Sequence, residues 1–346
     1  MTHRSLPGLR EIEEAESRIR EHIPQTPLES SRGLSSLLGR DVYLKLETFQ
    51  PIRVFKIRGA INKLSVLGDT ELRKGVITAS SGNHGLAIAY AARIFGTKAT
   101  ICVPEKVNPQ KLAAIEEQGA EIIRHGSGYD ETYEDAVSTS RRRGLTFIHA
   151  FDDPDVIAGQ GTCGLEMVRQ LPDLDAVTVA IGGGGLISGI AIAVKKLVDR
   201  ARVFGAETLA IPSMHESLAR GTKVHVGPRP TIADGMQAAT PGTLTFEAAR
   251  RFVDEVGLVS DEDIVMAIYD LLSFARVTAE PAGASPLAAM KGPLRHQRAE
   301  KLVLVVSGGN ISLSLLSHVL AIGERSGRHP PAVGRAPPRS TPRKTN

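Results

Sequence analysis

Four consecutive glycines, Gly182, Gly183, Gly184 and Gly185, separate an apolar stretch over 176–181 from a helix-patterned stretch over 186–198. Such a run raises the entropy lost on folding, so it persists where the backbone must turn tightly or approach a neighbour closely. Strand, sharp turn and helix follow as local structure. In that order the N–H groups of the turn converge at the positive end of the helix, which makes a ready site for a phosphate. A dinucleotide fold is the nearest rival, and Glu207 lies near the position of a ribose-binding acid. The G-x-G-x-x-G register fails in both frames, with Ile187 after one glycine pair and Ser188 after the other.

The same alternation runs along the chain. Strand-like segments at 42–46, 76–78, 99–103 and 121–123 alternate with helix-like ones at 86–95, 110–118 and 131–142. After Pro154 a second set has helices at 156–170, 186–198 and 261–272 and strands at 176–181, 202–206 and 301–306. This spacing is that of βαβ units. The expected class is therefore α/β, with two Rossmann-like open parallel-sheet lobes and a ligand cleft between them. The small mobile lobe is expected over 42–150, and the large one from 1–41 together with 151–324. The first helix, over 9–22, ends before Pro24 and Pro27. Residues 325–346, rich in Pro, Arg, Ser and Thr, are expected to form a disordered tail.

Charge and composition narrow the partners. The formal net charge is +4, but Arg325, Arg328, Arg335, Arg339, Arg343 and Lys344 at the C-terminus carry more than that excess. The folded body is thus close to neutral. Aromatic residues make up 4% with no Trp, and no basic stripe with interleaved aromatics is present, which argues against a nucleic-acid platform. No window reaches the roughly 18 continuous apolar residues of a membrane span, and the N-terminus lacks the apolar core of a signal peptide. Cys102 and Cys163, the only cysteines, show neither metal-ligand spacing nor a disulfide framework. A cytoplasmic protein that binds a small molecule is expected.

Three further motifs stand at strand ends or beside them. Phe55-Lys56-Ile57-Arg58-Gly59-Ala60 follows the apolar run at 42–46, Ser80-Ser81-Gly82-Asn83-His84-Gly85 joins a strand to a helix, and Ser307-Gly308-Gly309-Asn310 closes the last strand. Alone, each is ordinary turn or cap chemistry. With the four-glycine turn and Glu280-Pro281-Ala282-Gly283-Ala284, they occur in the order and at about the spacing of the fold type II pyridoxal-phosphate enzymes. The chain most closely resembles the threonine/serine dehydratase and serine racemase group over about residues 8–323.

Carried over position by position, the resemblance makes Lys56 the Schiff-base lysine and Ser81 a second acid/base. It makes Gly182, Gly183, Gly184 and Gly185 the cup for the pyridoxal 5'-phosphate phosphate group, with Phe55 and Leu186 beside the cofactor. Asn83 becomes the partner of the cofactor 3-hydroxyl and Ser307 that of the pyridine nitrogen. Ser80, Ser81, Gly82 and His84 form the loop that clasps the substrate carboxylate. A lysine amine is nucleophilic only when neutral, and burial lowers its pKa toward that state. A serine at the pyridine nitrogen leaves the ring a weaker electron sink than a carboxylate partner would, which suits β-elimination. The implied reaction is ammonia-lyase chemistry on L-threonine, L-serine or a related β-hydroxy amino acid, in a homodimer or homotetramer. A racemase is the alternative, as is a dehydratase specialised for 3-hydroxyaspartate or hydroxyectoine breakdown.

Three departures qualify the resemblance. The group typically has Thr-Gly-Ser before the Phe-Lys pair, where this chain has Ile52-Arg53-Val54. Arg53 is expected to shift substrate preference toward a larger or acidic amino acid. Metal-activated relatives carry an acid six residues after Glu207, where this chain has Ser213, so no metal is expected. The chain also ends soon after Ser307, which leaves no room for a regulatory domain and implies a catabolic enzyme. His125, His149, His215 and His225 share no ligand spacing and are expected at surfaces or turns. Asp152, Asp153 and Asp155 are expected to cap helices.

Overall fold

A computed structural model describes residues 5–107, 109–227 and 229–325. Ten strands form two sheets: β1 (Leu28–Ser30), β2 (Asp41–Leu46), β3 (Val76–Ala79), β4 (Ala99–Val103), β5 (Glu121–Arg124), β6 (Thr146–Phe147), β7 (Ala176–Ala180), β8 (Arg202–Thr208), β9 (Glu255–Val259) and β10 (Lys301–Val306). The larger sheet has the order β1-β2-β10-β7-β8-β9 and the smaller β5-β4-β3-β6. Only β1 runs antiparallel to its neighbour. Inner strands are apolar on both faces, as parallel sheets covered by helices require. Leu302, Val303, Leu304, Val305 and Val306 of β10 are all buried. Each such side chain taken out of water contributes on the order of 1.5–3 kcal/mol, before the entropy of ordering the chain.

One lobe boundary differs from expectation. β2 pairs with β10 from Asp41 opposite Lys301 to Leu46 opposite Val306, so 42–46 belong to the large sheet rather than opening the small lobe. The small sheet begins at Val76 and ends at Phe147. Strand partners are chosen by long-range register, which an apolar run cannot announce by itself. The consequence is that β2 delivers the chain to the Lys56 motif alongside the end of β10. The expected tail lies, beyond Arg325, outside the described residues.

Between the sheets, three helices pack backbone to backbone through glycine. Lys56–Ser65 lies on Pro154–Gln170, where a Cβ on Gly59 would meet Val156 Cγ1 at 2.9 Å and one on Gly159 would meet the Gly59 Cα at 2.7 Å. Pro154–Gln170 in turn lies on Gly185–Leu197, where a Cβ on Gly161 would meet the Gly189 carbonyl at 3.0 Å. Glycine is needed at these crossings because nothing larger fits.

Beneath the Lys56 helix lies a buried charge cluster. The Arg58 guanidinium, fully buried, donates to both Glu47 oxygens at 2.7 and 2.8 Å and both Glu166 oxygens at 2.7 and 2.8 Å. Lys45 Nζ adds a 2.6 Å bond to Glu166 and one of 2.8 Å to the Thr26 carbonyl. Two positive and two negative groups balance, and each is paired. These cations hold the Glu47 carboxyl at about 2: burial acts against ionisation, but the charge and hydrogen bond of Arg58, helped by Lys45, outweigh it.

Candidate active site

The parallel strands of both sheets end at a common edge, where loops carry the motifs noted above. Lys56 is the first residue of a helix, not part of a loop as its sequence setting implied. Phe55 precedes it in αR geometry with no capping side chain, so the usual start signal is missing. The helix is legible only from its apolar spacing, with Ile57, Ala60, Ile61 and Leu64 buried. Just upstream, the backbone is stitched to the end of β10. Phe55 N donates to the Ser307 carbonyl at 3.0 Å, Gly309 N donates to the Arg53 carbonyl at 2.9 Å, and Val54 bridges Gly308.

Lys56 Nζ donates to the Ala150 carbonyl at 3.0 Å, and no carboxylate among the described residues makes an ion pair with it. Burial pushes the ammonium down to about 8, partly opposed by the charge of Glu280. An ordinary lysine near 10.5 is neutral in only a few parts in ten thousand at pH 7, whereas one near 8 is neutral in about a tenth of molecules. The amine is therefore prepared to act as nucleophile and base.

The glycine turn leads into the helix Gly185–Leu197, as expected. Gly184 has φ +91°, a left-handed backbone that glycine adopts without strain. Its neighbours are glycine for packing reasons: a Cβ on Gly182 would strike the Gly235 carbonyl at 2.5 Å, and Phe151 occupies the space beside Gly183 with its ring and beside Gly185 with its Cβ and backbone. Thr245 Oγ1 donates to the Gly183 carbonyl at 2.7 Å. The N–H groups of Gly182, Gly183 and Gly184 meet no protein acceptor among the described residues. They are free to hold an anion at the helix start, with Leu186 in the first turn.

The second turn opens the helix Asn83–Ile94. Ser80, Ser81, Gly82 and Asn83 are half-buried at its head, and His84 is buried. Burial, reinforced by the nearby Lys56 charge, holds His84 well below the usual histidine range, so the imidazole is neutral. Its Nε2 has no hydrogen-bond partner among the described residues. The Ser307 Oγ at the end of β10 is likewise buried and unpartnered. A buried hydroxyl left without a partner is costly, roughly 1–3 kcal/mol, which is the expected signature of a group waiting for a ligand atom. Free turn amides, a bare hydroxyl and a lysine with depressed pKa fit a phosphate, a ring nitrogen and an aldehyde.

Two groups in the site were visible as motif residues but had no role assigned. Glu280, at the head of Pro281–Lys291, accepts from Asn83 Nδ2 at 2.9 and 3.0 Å, and Asn310 Nδ2 donates to Asn83 Oδ1 at 2.9 Å. Asn83 is thus oriented by two neighbours. Ala150 and Phe151 were missed, because a backbone carbonyl and a ring carry no sequence signal. Two of the three aspartates behave as caps: Asp153 accepts from Asp155 N and Val156 N, and Asp152 caps the distant helix Thr243–Phe252, whereas the Asp155 carboxylate pairs with Lys63 Nζ at 2.8 Å instead. His149 Nδ1 accepts from Phe151 N and Asp152 N, a turn role. Glu207 accepts from Met214 N and His215 N at 2.8 Å each, capping the helix Ser213–Arg220, and burial pushes its carboxyl up to about 7.

Comparison with known proteins agrees with this chemistry. The family model described as pyridoxal-phosphate dependent enzyme matches residues 19–308. An L-threonine ammonia-lyase of Thermotoga maritima is 42% identical over 321 residues, 92% of this chain and 80% of its own. Among solved structures, maize serine racemase superposes with TM-score 0.87 at 34% identity, covering 93% of this chain and 99% of its own. A pyridoxal 5'-phosphate-dependent aspartate racemase superposes with TM-score 0.84 at 31% identity, covering 90% and 98%.

Proposed function

Because this chain belongs to the pyridoxal-phosphate-dependent enzyme family and is a lyase of the threonine ammonia-lyase type, we propose that it converts L-threonine or L-serine to a 2-oxo acid and ammonia in a catabolic role. When bound, pyridoxal phosphate supplies an aldehyde that captures amines and a ring that draws electron density from the substrate Cα. The observation that carries the reading is the half-buried Lys56 amine, hydrogen-bonded to the Ala150 carbonyl, 5.3 Å from the Phe55 ring centre and pushed down to about 8. Lys56 Nζ holds the cofactor and then takes the Cα proton.

The remaining roles follow the same geometry. The amides of Gly182, Gly183, Gly184 and Gly185 hold the phosphate, Ser307 Oγ meets the ring nitrogen, and Asn83, fixed by Glu280 and Asn310, meets the ring hydroxyl. Phe55 and Leu186 flank the ring. Ser80, Ser81, Gly82 and His84 receive the substrate carboxylate at the head of Asn83–Ile94, where the helix dipole favours an anion. Neutral His84 accepts or donates there without adding a competing charge. Departure of the β-hydroxyl and hydrolysis of the resulting enamine give 2-oxobutanoate from threonine. Pure protein supplied with L-threonine should release 2-oxobutanoate and ammonia in equal amounts; a D-amino acid in place of both would overturn the assignment.

Amino-acid racemisation is the second reading. The Ser81 hydroxyl bonds to no protein group among the described residues, so it is free to deliver a proton. The likeness to maize serine racemase supports this. A third observation bears on substrate. Arg53, exposed and three residues before Lys56, has φ +61°, a strained region for any residue but glycine. A cation retained at such a cost supports preference for an acidic substrate such as 3-hydroxyaspartate, in keeping with the aspartate racemase likeness. The ratio of kcat/KM for 3-hydroxyaspartate and threonine should fall in Arg53→Ala, and an unchanged ratio rejects the idea. Exposed Leu313 (82%) and Phe49 (60%) support a homodimer or homotetramer, which sedimentation would resolve. We assign the protein to the cytoplasm; no described helix is long and apolar enough to cross a membrane.

A further inference from the structure

Residues 150–152 cross from the small sheet to the large lobe, and each of the three touches a different part of the site. Ala150 O accepts the Lys56 amine at 3.0 Å. Phe151 lays its ring beside Gly183 and its Cβ and backbone beside Gly185. Asp152 reaches 91 residues along the chain to the helix Thr243–Phe252, accepting Thr243 N at 2.9 Å on Oδ2, and Leu244 N at 2.8 Å and Thr245 N at 3.3 Å on Oδ1.

A helix cap normally comes from the residue just before the helix. Here that residue is Gly242, which has no side chain, and the space a Cβ would fill there is taken by the Asp152 carboxylate. The cap is supplied from a distant segment, and its target is the turn that supports the cup. Thr245, one of the three residues whose N–H Asp152 accepts, donates its Oγ1 to the Gly183 carbonyl at 2.7 Å and lies 2.9 Å from where a Gly184 Cβ would stand. The negative charge is offset by the three N–H groups and the helix dipole, so it need not repel an anion in the cup.

We propose that Asp152 is a positioning residue for the phosphate cup, holding it at a set distance from Lys56 through the first turn of Thr243–Phe252 and Thr245. The inference rests on residues 182–185 being the cup. Removing the carboxylate frees the helix start, loosens Thr245 and lets the Gly183 carbonyl rotate. The amine end of the site is left intact. The loss should therefore fall on ligands that carry the phosphate.

The test is titration of the apoenzyme with pyridoxal 5'-phosphate and with pyridoxal, followed by absorbance. Wild type should bind the phosphorylated form at least tenfold more tightly; equal binding rejects the cup itself. Asp152→Ala should weaken pyridoxal phosphate about tenfold and change pyridoxal less than twofold. Asp152→Asn, which keeps an accepting oxygen, should recover most of the loss. Thr245→Val, nearly isosteric, should weaken pyridoxal phosphate in the same sense, and the double variant should lose little more than Asp152→Ala alone, because the two act in series. Thr245→Val and Asp152→Asn carry the test if Asp152→Ala does not fold. A lower apoenzyme melting temperature with an unchanged preference for the phosphorylated ligand, or full additivity of the two variants, would overturn the proposal.

Discussion

The two sides of the Lys56 helix are built by opposite rules. On the inner side, Arg58, Glu47, Glu166 and Lys45 form a closed cluster in which each charge has an opposite partner within 2.8 Å. At the strand ends on the other side, Ser307 Oγ and His84 Nε2 are buried without partners among the described residues, and the hydrogen bond of Lys56 goes to a carbonyl rather than a carboxylate. Both sides contain polar groups shielded from water, so burial alone does not separate structure from function. Pairing does: the saturated side anchors the helix, and the unsaturated side is held ready for groups the protein does not itself supply.

Four substitutions and a titration test that contrast. Lys56→Ala acts on the open side and should reduce turnover by at least about a thousandfold, since on the proposed reading it removes both nucleophile and base. It should also remove the yellow absorbance of the bound cofactor while leaving the apoenzyme fold intact by circular dichroism. Arg58→Met acts on the closed side and should behave in the reverse way. Leaving Glu47 and Glu166 buried without a counter-charge costs about 3–5 kcal/mol, to be read from the urea midpoint, and activity falls because the fold does. If Arg58→Met were as stable as wild type, the cluster would not be the anchor described here.

Ser307→Ala should separate the two rules within one residue. It deletes an orphaned hydroxyl, so the apoenzyme should gain up to about 1–3 kcal/mol, while the cofactor-bound enzyme loses activity. Destabilisation of the apoenzyme would mean that the hydroxyl has a protein partner after all. Arg53→Gly should stabilise the chain by about 1 kcal/mol by relieving the left-handed backbone at φ +61°, seen as a higher melting temperature. Its effect on substrate preference reports separately on the charge.

The smallest expected effect is on pH. On the proposed reading, capture of the cofactor by the apoenzyme requires neutral Lys56, pushed down to about 8 by burial. The capture rate should rise about fivefold from pH 7 to pH 8 and level off above 9. A lysine with its ordinary value would instead keep gaining close to tenfold per unit to about pH 9.5, and that result would place Lys56 in water rather than in a partly shielded site.

Much of this site was legible in advance. The glycine turn, the Ser-Ser-Gly-Asn-His-Gly turn and the Ser307 motif each stand at a strand end because local period and turn chemistry mark them. Strands β4, β7 and β10 were bounded within a residue, since short apolar runs flanked by polar turns have few alternatives. The misses share a cause. The Lys56 helix lacks a capping residue, β2 belongs to the large sheet through pairing with β10, and β6 has two residues and no pattern. Glu280 and Asn310 stood in quoted motifs without a role, because their meaning lies in a contact with Asn83 some 200 positions away.

The sequence by itself determined the chemistry: a lysine, a glycine turn and a terminal serine in a fixed order on a βαβ framework. Those depend on residue type and on spacing between neighbours, which the chain carries locally. Only the tertiary structure decided which lysine has its pKa lowered by its surroundings, which hydroxyl is left without a partner, and which aspartate reaches across to cap the helix beside the glycine turn. Such properties arise from what is excluded around a group, chiefly water and competing donors, and exclusion belongs to the packed molecule rather than to any stretch of its chain.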